Sequence, residues 1–292
     1  MESIKSVIPI VDEVIVVVPK SEDGTLESIK GLNEPCLKII EAEIIDFNSK
    51  NYYAYYTDFA FKSCSGDWCI YIQADEVIPE KSYPIIRAAM EKFQNRKEIE
   101  GMALKFRHFY GSPKYYHEGS PWYSREVRIL RRDGETLAWG DAQGFRKRGR
   151  KLRVALLPAY IHHYGWMLPP EKIVQKVYIS EIVRGLRRKG REDIPLSVPK
   201  PQEIFHDTYA LKRYTEEHPK CMDKFISSFQ WDYNPVIRPA RLKRRIQKMI
   251  ADVGEFLFNR RFFEYQNFVV VERFKKCECS DYMKTPAFIK IL

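Results

Sequence analysis

The sequence predicts an α/β fold: a doubly wound, mostly parallel sheet flanked by helices, followed by a helical C-terminal extension. Three observations carry this. Val14–Val18 and Trp68–Ile72 are short runs of apolar, largely β-branched or aromatic residues, as in strands covered on both faces. Helical and turn patterns separate such runs in a β-α-β-α-β rhythm. The second run ends on two adjacent carboxylates, Asp75-Glu76, at the strand end where open α/β sheets place ligand sites.

Taken in order, Glu2–Val7 reads as the end of a helix and Val14–Val18 as a strand. Asp23 or Thr25 can cap the helix that follows, because a side-chain oxygen there accepts orphan backbone N–H groups. Lys38–Glu43 is a second strand, Tyr52–Ser63 an aromatic-rich helix, and Trp68–Ile72 the strand ending at the carboxylates. Pro84–Phe93 sets Ile85, Ile86, Ala89, Met90 and Phe93 at helical spacing. Gly101–Phe109 and Arg125–Arg131 are strands, joined by a long loop, Tyr110–Tyr123, of a length suited to substrate contact. Asp133-Gly134 marks a turn, and Leu152–Leu157 and Ala159–Trp166 are the last strands of this part. Beyond Pro169-Pro170, helices are expected over Glu171–Arg188, Asp207–His218 and Pro239–Arg261, with a proline-rich linker at Ile194–Pro201. The expected division is 1–166 for the α/β part and 167–292 for a helical, basic region.

A chain of 292 residues with 45% hydrophobic content holds enough apolar mass for a core, which excludes wholesale disorder. The net charge of +10 favours anionic partners: nucleotides, nucleic acid or an acidic membrane surface. Six scattered cysteines form no C-x-x-C pair, which argues against a disulfide scaffold or zinc ribbon and for a reducing compartment. No apolar run reaches the ~20 residues needed to span a bilayer, and no signal-peptide layout opens the chain. A cytoplasmic protein is expected. The basic helix 239–261 suits either a plain surface role or attachment to the inner face of an anionic membrane. The run Arg146–Lys151 reads as a solvated hairpin turn or as a phosphate contact.

From the residues alone, Asp75 and Glu76 could hold a hard divalent cation against a diphosphate, or simply end the strand and cap the next helix. Four pieces in order bear on that choice: Val14–Val18 with Asp23-Gly24-Thr25; Gly66-Asp67-Trp68 leading to Gln73-Ala74-Asp75-Glu76; Arg125-Glu126-Val127-Arg128; and His163-Tyr164. Together they resemble glycosyltransferases of family 2, which have the GT-A fold, a Rossmann-type sheet, and particularly those acting on cell-surface glycans. The resemblance covers roughly residues 2–166.

The resemblance implies a transferase moving a sugar from a nucleotide-sugar donor to a glycan or lipid-linked acceptor, inverting and dependent on a divalent metal, Mn²⁺ or Mg²⁺. The family's Asp-x-Asp element is replaced here by Gln73-Ala74-Asp75. Asp75 then becomes the metal carboxylate, His163 a second metal contact, and Gln73, Glu76, Arg128 and Lys20 donor contacts. Alternation along an extended chain would put Gln73 and Asp75 on one side and Glu76 on the other. An inverting transfer needs a carboxylate to take the acceptor's proton. Asp141, between flanking glycines, is the first choice, and Glu126 the second. His162 faces the other side of its strand, and Trp166 either packs in the core or stacks on a sugar. Two departures stand out: the family's first apolar strand is missing upstream of Met1, and Lys20 follows Val18-Pro19 where an acidic base-reading residue is usual. The alternatives are a basic nucleic-acid-binding protein, although no specific nucleic-acid module is recognisable, and a catalytically inactive glycosyltransferase-like scaffold.

Overall fold

The structure is a computed structural model that describes residues 1–45, 51–118, 122–140, 142, 144–183, 204–205, 208–231, 233–264, 266–279 and 290–291. A short helix, α1 (Glu2–Lys5), leads into β1 (Glu13–Pro19). The Asp-Gly-Thr turn then opens α2 (Thr25–Lys30): Gly24 takes φ +76°, and Asp23 Oδ1 accepts the Thr25 N–H at 3.0 Å. Strand β2 (Leu37–Ala42) runs parallel to β1, and α3 (Tyr52–Ser63) has the expected bounds. Strand β3 (Trp68–Ile70) is shorter than the apolar run predicts, because the chain turns from Gln73 onward. After the two-residue β4 (Glu76–Val77), α4 (Tyr83–Phe93) lays Ile85, Ile86, Ala89, Met90 and Phe93 on the sheet.

Strand β5 (Gly101–Tyr110) turns at Gly111, φ +69°, into β6 (Ser112–His117). Much of the expected loop 110–123 is therefore a hairpin. A Cβ at Gly111 would lie 2.5 Å from the Tyr233 ring, so only glycine fits there. Strands β7 (Arg125–Arg131), β8 (Thr136–Trp139) and β9 (Gly144–Lys147) follow, and a tight Arg148-Gly149 turn with two positive φ values leads into β10 (Arg150–Trp166). Strand β10 fuses two expected strands. Pro158 has no N–H for the ladder, so the register with β5 skips from Leu156 to Tyr160 and the strand continues beyond. The basic run around this turn is paired with acids, Arg150 with Glu100 and Lys147 with Asp133.

Beyond Trp166 come α5 (Pro170–Val183), β11 (Lys212–Arg213), α6 (Asp223–Ser227), α7 (Leu242–Phe258), β12 (Phe268–Arg273) and β13 (Lys290–Ile291). The helix expected over 207–218 is not formed among its described residues. Pairing with β6 takes its place, with Tyr214 donating its N–H to the Lys114 carbonyl at 2.8 Å. The expected linker 194–201 and the end of the helix after Val183 lie outside the described residues. The sheet runs β2-β1-β13-β3-β7-β5-β10-β9-β8, with β4 and β12 also on β10. Strands from beyond residue 166 thus join the same sheet as β1. Strand β13 lies between β1 and β3 and pairs parallel with both.

Candidate active site

The chain turns at the end of β3 because the Glu76 N–H donates to the Gln73 carbonyl at 3.0 Å. The antiparallel pairing of β4 with β10 then sets Glu76 opposite His163, and the Tyr164 N–H donates to the Asp75 carbonyl at 2.8 Å. Backbone pairing therefore delivers the Asp75 side chain to the end of β10. Its Oδ2 accepts from Lys176 Nζ of α5 at 2.6 Å and lies 3.4 Å from His163 Nε2. The same ammonium donates to the Gly165 carbonyl at 3.1 Å. A Cβ on Gly165 would lie 2.4 Å from both Asp75 Oδ2 and Lys176 Nζ and 2.7 Å from His163 Nε2, so these three groups close over a glycine. Burial alone would raise the Asp75 pKa; His163 and Lys176 outweigh it and hold the carboxyl well below the usual range.

Behind His163 lies a chain of fixed tautomers. His108 Nε2 is 2.9 Å from the Tyr123 carbonyl, which can only accept, so Nε2 carries the proton. Burial, then the neighbouring His163, keeps His108 well below the ordinary histidine pKa, so it is neutral and its Nδ1 is bare. His163 Nδ1, 3.1 Å away, must then donate to it, which turns His163 Nε2 toward Asp75. Trp122 stacks on His108 at 5.3 Å and meets Trp166 edge-on at 5.1 Å, closing this side.

A cleft of about 550 Å³ extends along β1 as far as Ala74, the residue before Asp75. Among the described residues, β13 pairs with β1 at Glu13 and Val14, and the cleft lies along Val14 to Val17 of β1. Asp23, Thr25 and Ser28 line it from the α2 side, Thr57 from α3, and Tyr71, Ile72 and Ala74 from the strand end, one residue short of Asp75.

Of the described residues expected at the site, Asp75 and His163 are brought together, and Lys20, Gln73, Glu76, Glu126 and Arg128 are not. Glu76 and Arg128 bind each other through two contacts of 2.8 and 2.7 Å, both side chains wholly buried, which leaves neither for a donor. Gln73 does not share a side with Asp75: the turn removes the alternation, and its Nε2 donates to the Tyr71 hydroxyl at 3.1 Å. Lys20 is exposed, paired with Glu43 at 2.5 Å, and does not line the cleft. Glu126 is buried within β7, opposite Leu104, and does not line it either. Asp141 lies outside the described residues. His162 is buried on the other face, against Phe109 and Tyr164. Trp166 packs in an aromatic cluster with Tyr110 and Trp122.

Sequence reasoning missed His108 and Lys176. His108 sits in exact register with His163 across β5 and β10, which only the strand pairing reveals. Lys176 carries no motif. Among the described residues, no group of three or more His, Cys, Asp or Glu side chains is set to hold a metal ion.

The family described as Glycosyl transferase family 2 matches residues 1–151 of the chain. No curated protein sequence matches it.

Proposed function

The chain belongs to glycosyl transferase family 2, since the match spans more than half of its 292 residues, and from that premise we propose that it moves a sugar from a nucleotide-sugar donor to a glycan or lipid-linked acceptor. The mixed, mostly parallel sheet flanked by helices is the α/β architecture of that family. One observation supports the donor reading above all. Asp75, which meets His163 and Lys176, follows directly on Ala74 at the edge of a cleft between two parallel strands. In this reading the nucleoside lies in the cleft and the diphosphate at its Asp75 end. Inversion at the anomeric carbon and Asp141 as the acceptor base rest on the family resemblance.

The divalent metal implied by the family would rest on Asp75 and His163. The donor set does not fit it as folded. A single carboxylate oxygen faces the site, and an ammonium already sits 2.6 Å from it, so a dication would meet a like charge.

Thermal-shift titration with a panel of nucleoside diphosphates and sugar nucleotides tests the donor reading. At a ligand concentration 100 times Kd, about 2.7 kcal/mol of stabilisation is expected, lost in Asp75→Ala. No stabilisation by any member of the panel would sink it.

A second observation favours a membrane-linked acceptor. Helix α7 packs its small face inward: Ala251 and Gly254 are buried, and a Cβ on Gly254 would lie 2.3 Å from the Phe262 ring. Its apolar stripe faces outward, with Leu242 69%, Met249 61% and Phe256 81% exposed. Arg241, Lys243, Arg245 and Lys248 stand among these residues. An apolar stripe edged by cations suits an anionic lipid surface, at about 1 kcal/mol per basic residue. No helix among the described residues is long and apolar enough to cross a membrane. Co-sedimentation with vesicles containing anionic lipid, and not with neutral ones, is expected, and should be lost in Met249→Asp/Phe256→Ser. Concentration-dependent dimers that ignore vesicles would assign the face to a second copy instead.

A further inference from the structure

Lys176 comes from α5, beyond the residues that match the family, yet it holds the carboxylate at the heart of the donor site. We propose that Lys176 supplies the positive charge that receives the donor's diphosphate, in the place a divalent ion would otherwise take, with Asp75 and the Gly165 carbonyl as the groups that position it. The inference rests on the nucleotide-sugar reading above.

Four features carry it. An ammonium has three N–H groups. Among the described residues, two go to Asp75 Oδ2 and Gly165 O, which leaves one for a phosphate oxygen. The Lys176 side chain keeps 37% of its surface exposed, so it is not sealed in protein. Gly165 is shaped to the arrangement, since a Cβ there would lie 2.4 Å from Nζ. Glu76, which could have joined Asp75 on a cation, is engaged with Arg128, and Gln73, expected as a donor contact, with the Tyr71 hydroxyl.

The chemistry is consistent with the role. Lysine binds phosphate as a compact point charge. Its attraction to a diphosphate is weaker than a dication's, but an ammonium already fixed on a carboxylate loses little freedom when the ligand arrives. The contact with His108 fixes the His163 ring so that its Nε2 lies 3.4 Å from the same carboxylate oxygen. Since Lys176 is carried by α5, the donor site is complete only when that helix is seated on the end of β10.

The test is calorimetric titration of the full chain with UDP, GDP and ADP, in EDTA and in Mn²⁺, on wild type, Lys176→Met and Lys176→Arg, with Mn²⁺ uptake followed separately by electron paramagnetic resonance. Wild type should bind one of the diphosphates in EDTA, with an affinity that Mn²⁺ changes by less than about threefold, and should leave Mn²⁺ free in solution. Lys176→Met should bind about tenfold more weakly in EDTA, as for loss of one charge-assisted hydrogen bond; Lys176→Arg should keep most of the affinity. Uptake of Mn²⁺ by Lys176→Met alone, with recovery of diphosphate binding, would further support the substitution of charge. Wild-type binding that requires Mn²⁺, or Lys176→Met binding as tightly as wild type in EDTA, overturns the inference and leaves the donor reading standing. Absence of binding by any diphosphate under either condition overturns both.

Discussion

Glu76 and Arg128 form a two-point ion pair sealed from solvent, Arg128 Nε to Glu76 Oε2 at 2.8 Å and Nη2 to Oε1 at 2.7 Å. The guanidinium lies 5.2 Å from the Tyr71 ring centroid and 5.1 Å from that of Phe106. Burial would lower the Arg128 pKa, but Glu76 outweighs it and raises it above the usual arginine value. The Gln73 N–H also donates to Glu76 Oε2 at 3.3 Å, so the pair braces the turn that presents Asp75.

Breaking this pair from one side strands a charge in the core. Glu76→Gln or Arg128→Met should each cost about 3–5 kcal/mol, while the double variant costs less than the sum. Urea unfolding of the three variants measures this. Single-variant losses within 1 kcal/mol of zero would show that the pair does not brace the fold.

Gly165→Ala tests the site more directly. The new methyl would crowd Asp75 Oδ2, Lys176 Nζ and His163 Nε2, all side-chain ends that can move away. The stability loss should therefore stay near the low end of the roughly 1–3 kcal/mol typical of overpacking, while diphosphate affinity falls by about tenfold. Adding Lys176→Met to Gly165→Ala should weaken binding little further, because both changes dislodge the same ammonium. Calorimetry on the two single variants and the double variant reads this coupling.

Sequence made some of this architecture legible and left other parts hidden, for physical reasons. Local signals survived: the apolar runs of β1 and β3, the caps at Asp23, the helical stripe of α4. Asp75 was found because a carboxylate at a strand end is a local pattern. Its surroundings stay hidden, since Gly165 and, behind His163, His108 come near it through the pairing of β4 and β5 with β10, and Lys176 through the placement of α5. Glu76 misled for the same reason: one turn of backbone at Gln73 sends it to Arg128, 52 residues away in sequence, instead of to the cleft. The outward stripe of α7 was visible as a pattern, but its direction depends on Gly254 packing on Phe262.

Acid stability should depend on Glu100. Burial would raise its pKa, but two hydrogen bonds from Arg150, at 2.8 and 2.6 Å, and one from the Arg153 N–H at 2.9 Å hold it below the ordinary range. A carboxyl depressed in the folded state contributes stability that is present above its unfolded pKa, near ~4.3. That contribution is lost as pH falls from there through the folded pKa. Arg150 is half exposed, so screening limits the effect to about 1 kcal/mol. Glu100→Gln should flatten the stability curve below about pH 4.3 and leave its slope near neutrality unchanged. Chemical denaturation across that range would show an unaltered acid limb if Glu100 is not the titrating group.

The last prediction concerns the interval between β1 and β3. In this part of the sheet the Val14 N–H donates to the Cys36 carbonyl on the β2 side at 2.8 Å, so alternation hands the backbone groups of Glu13 and Ile15 to the β13 side. Strand β13 meets them in parallel register, Glu13 with Lys290 and Val14 with Ile291, and meets β3 at Cys69 and Ile70. Deleting residues 290–292 would leave two facing strand edges, each with backbone N–H and C=O groups unpaired, in the middle of the sheet. Amide exchange in peptides covering 13–16 and 68–71 should then accelerate, while peptides from β5 and β10 stay protected. The deletion should also weaken diphosphate binding, because the cleft is walled by the same two strands. Exchange by mass spectrometry separates the cases: equal protection in both forms of the protein would mean that β13 does not hold the two strands together.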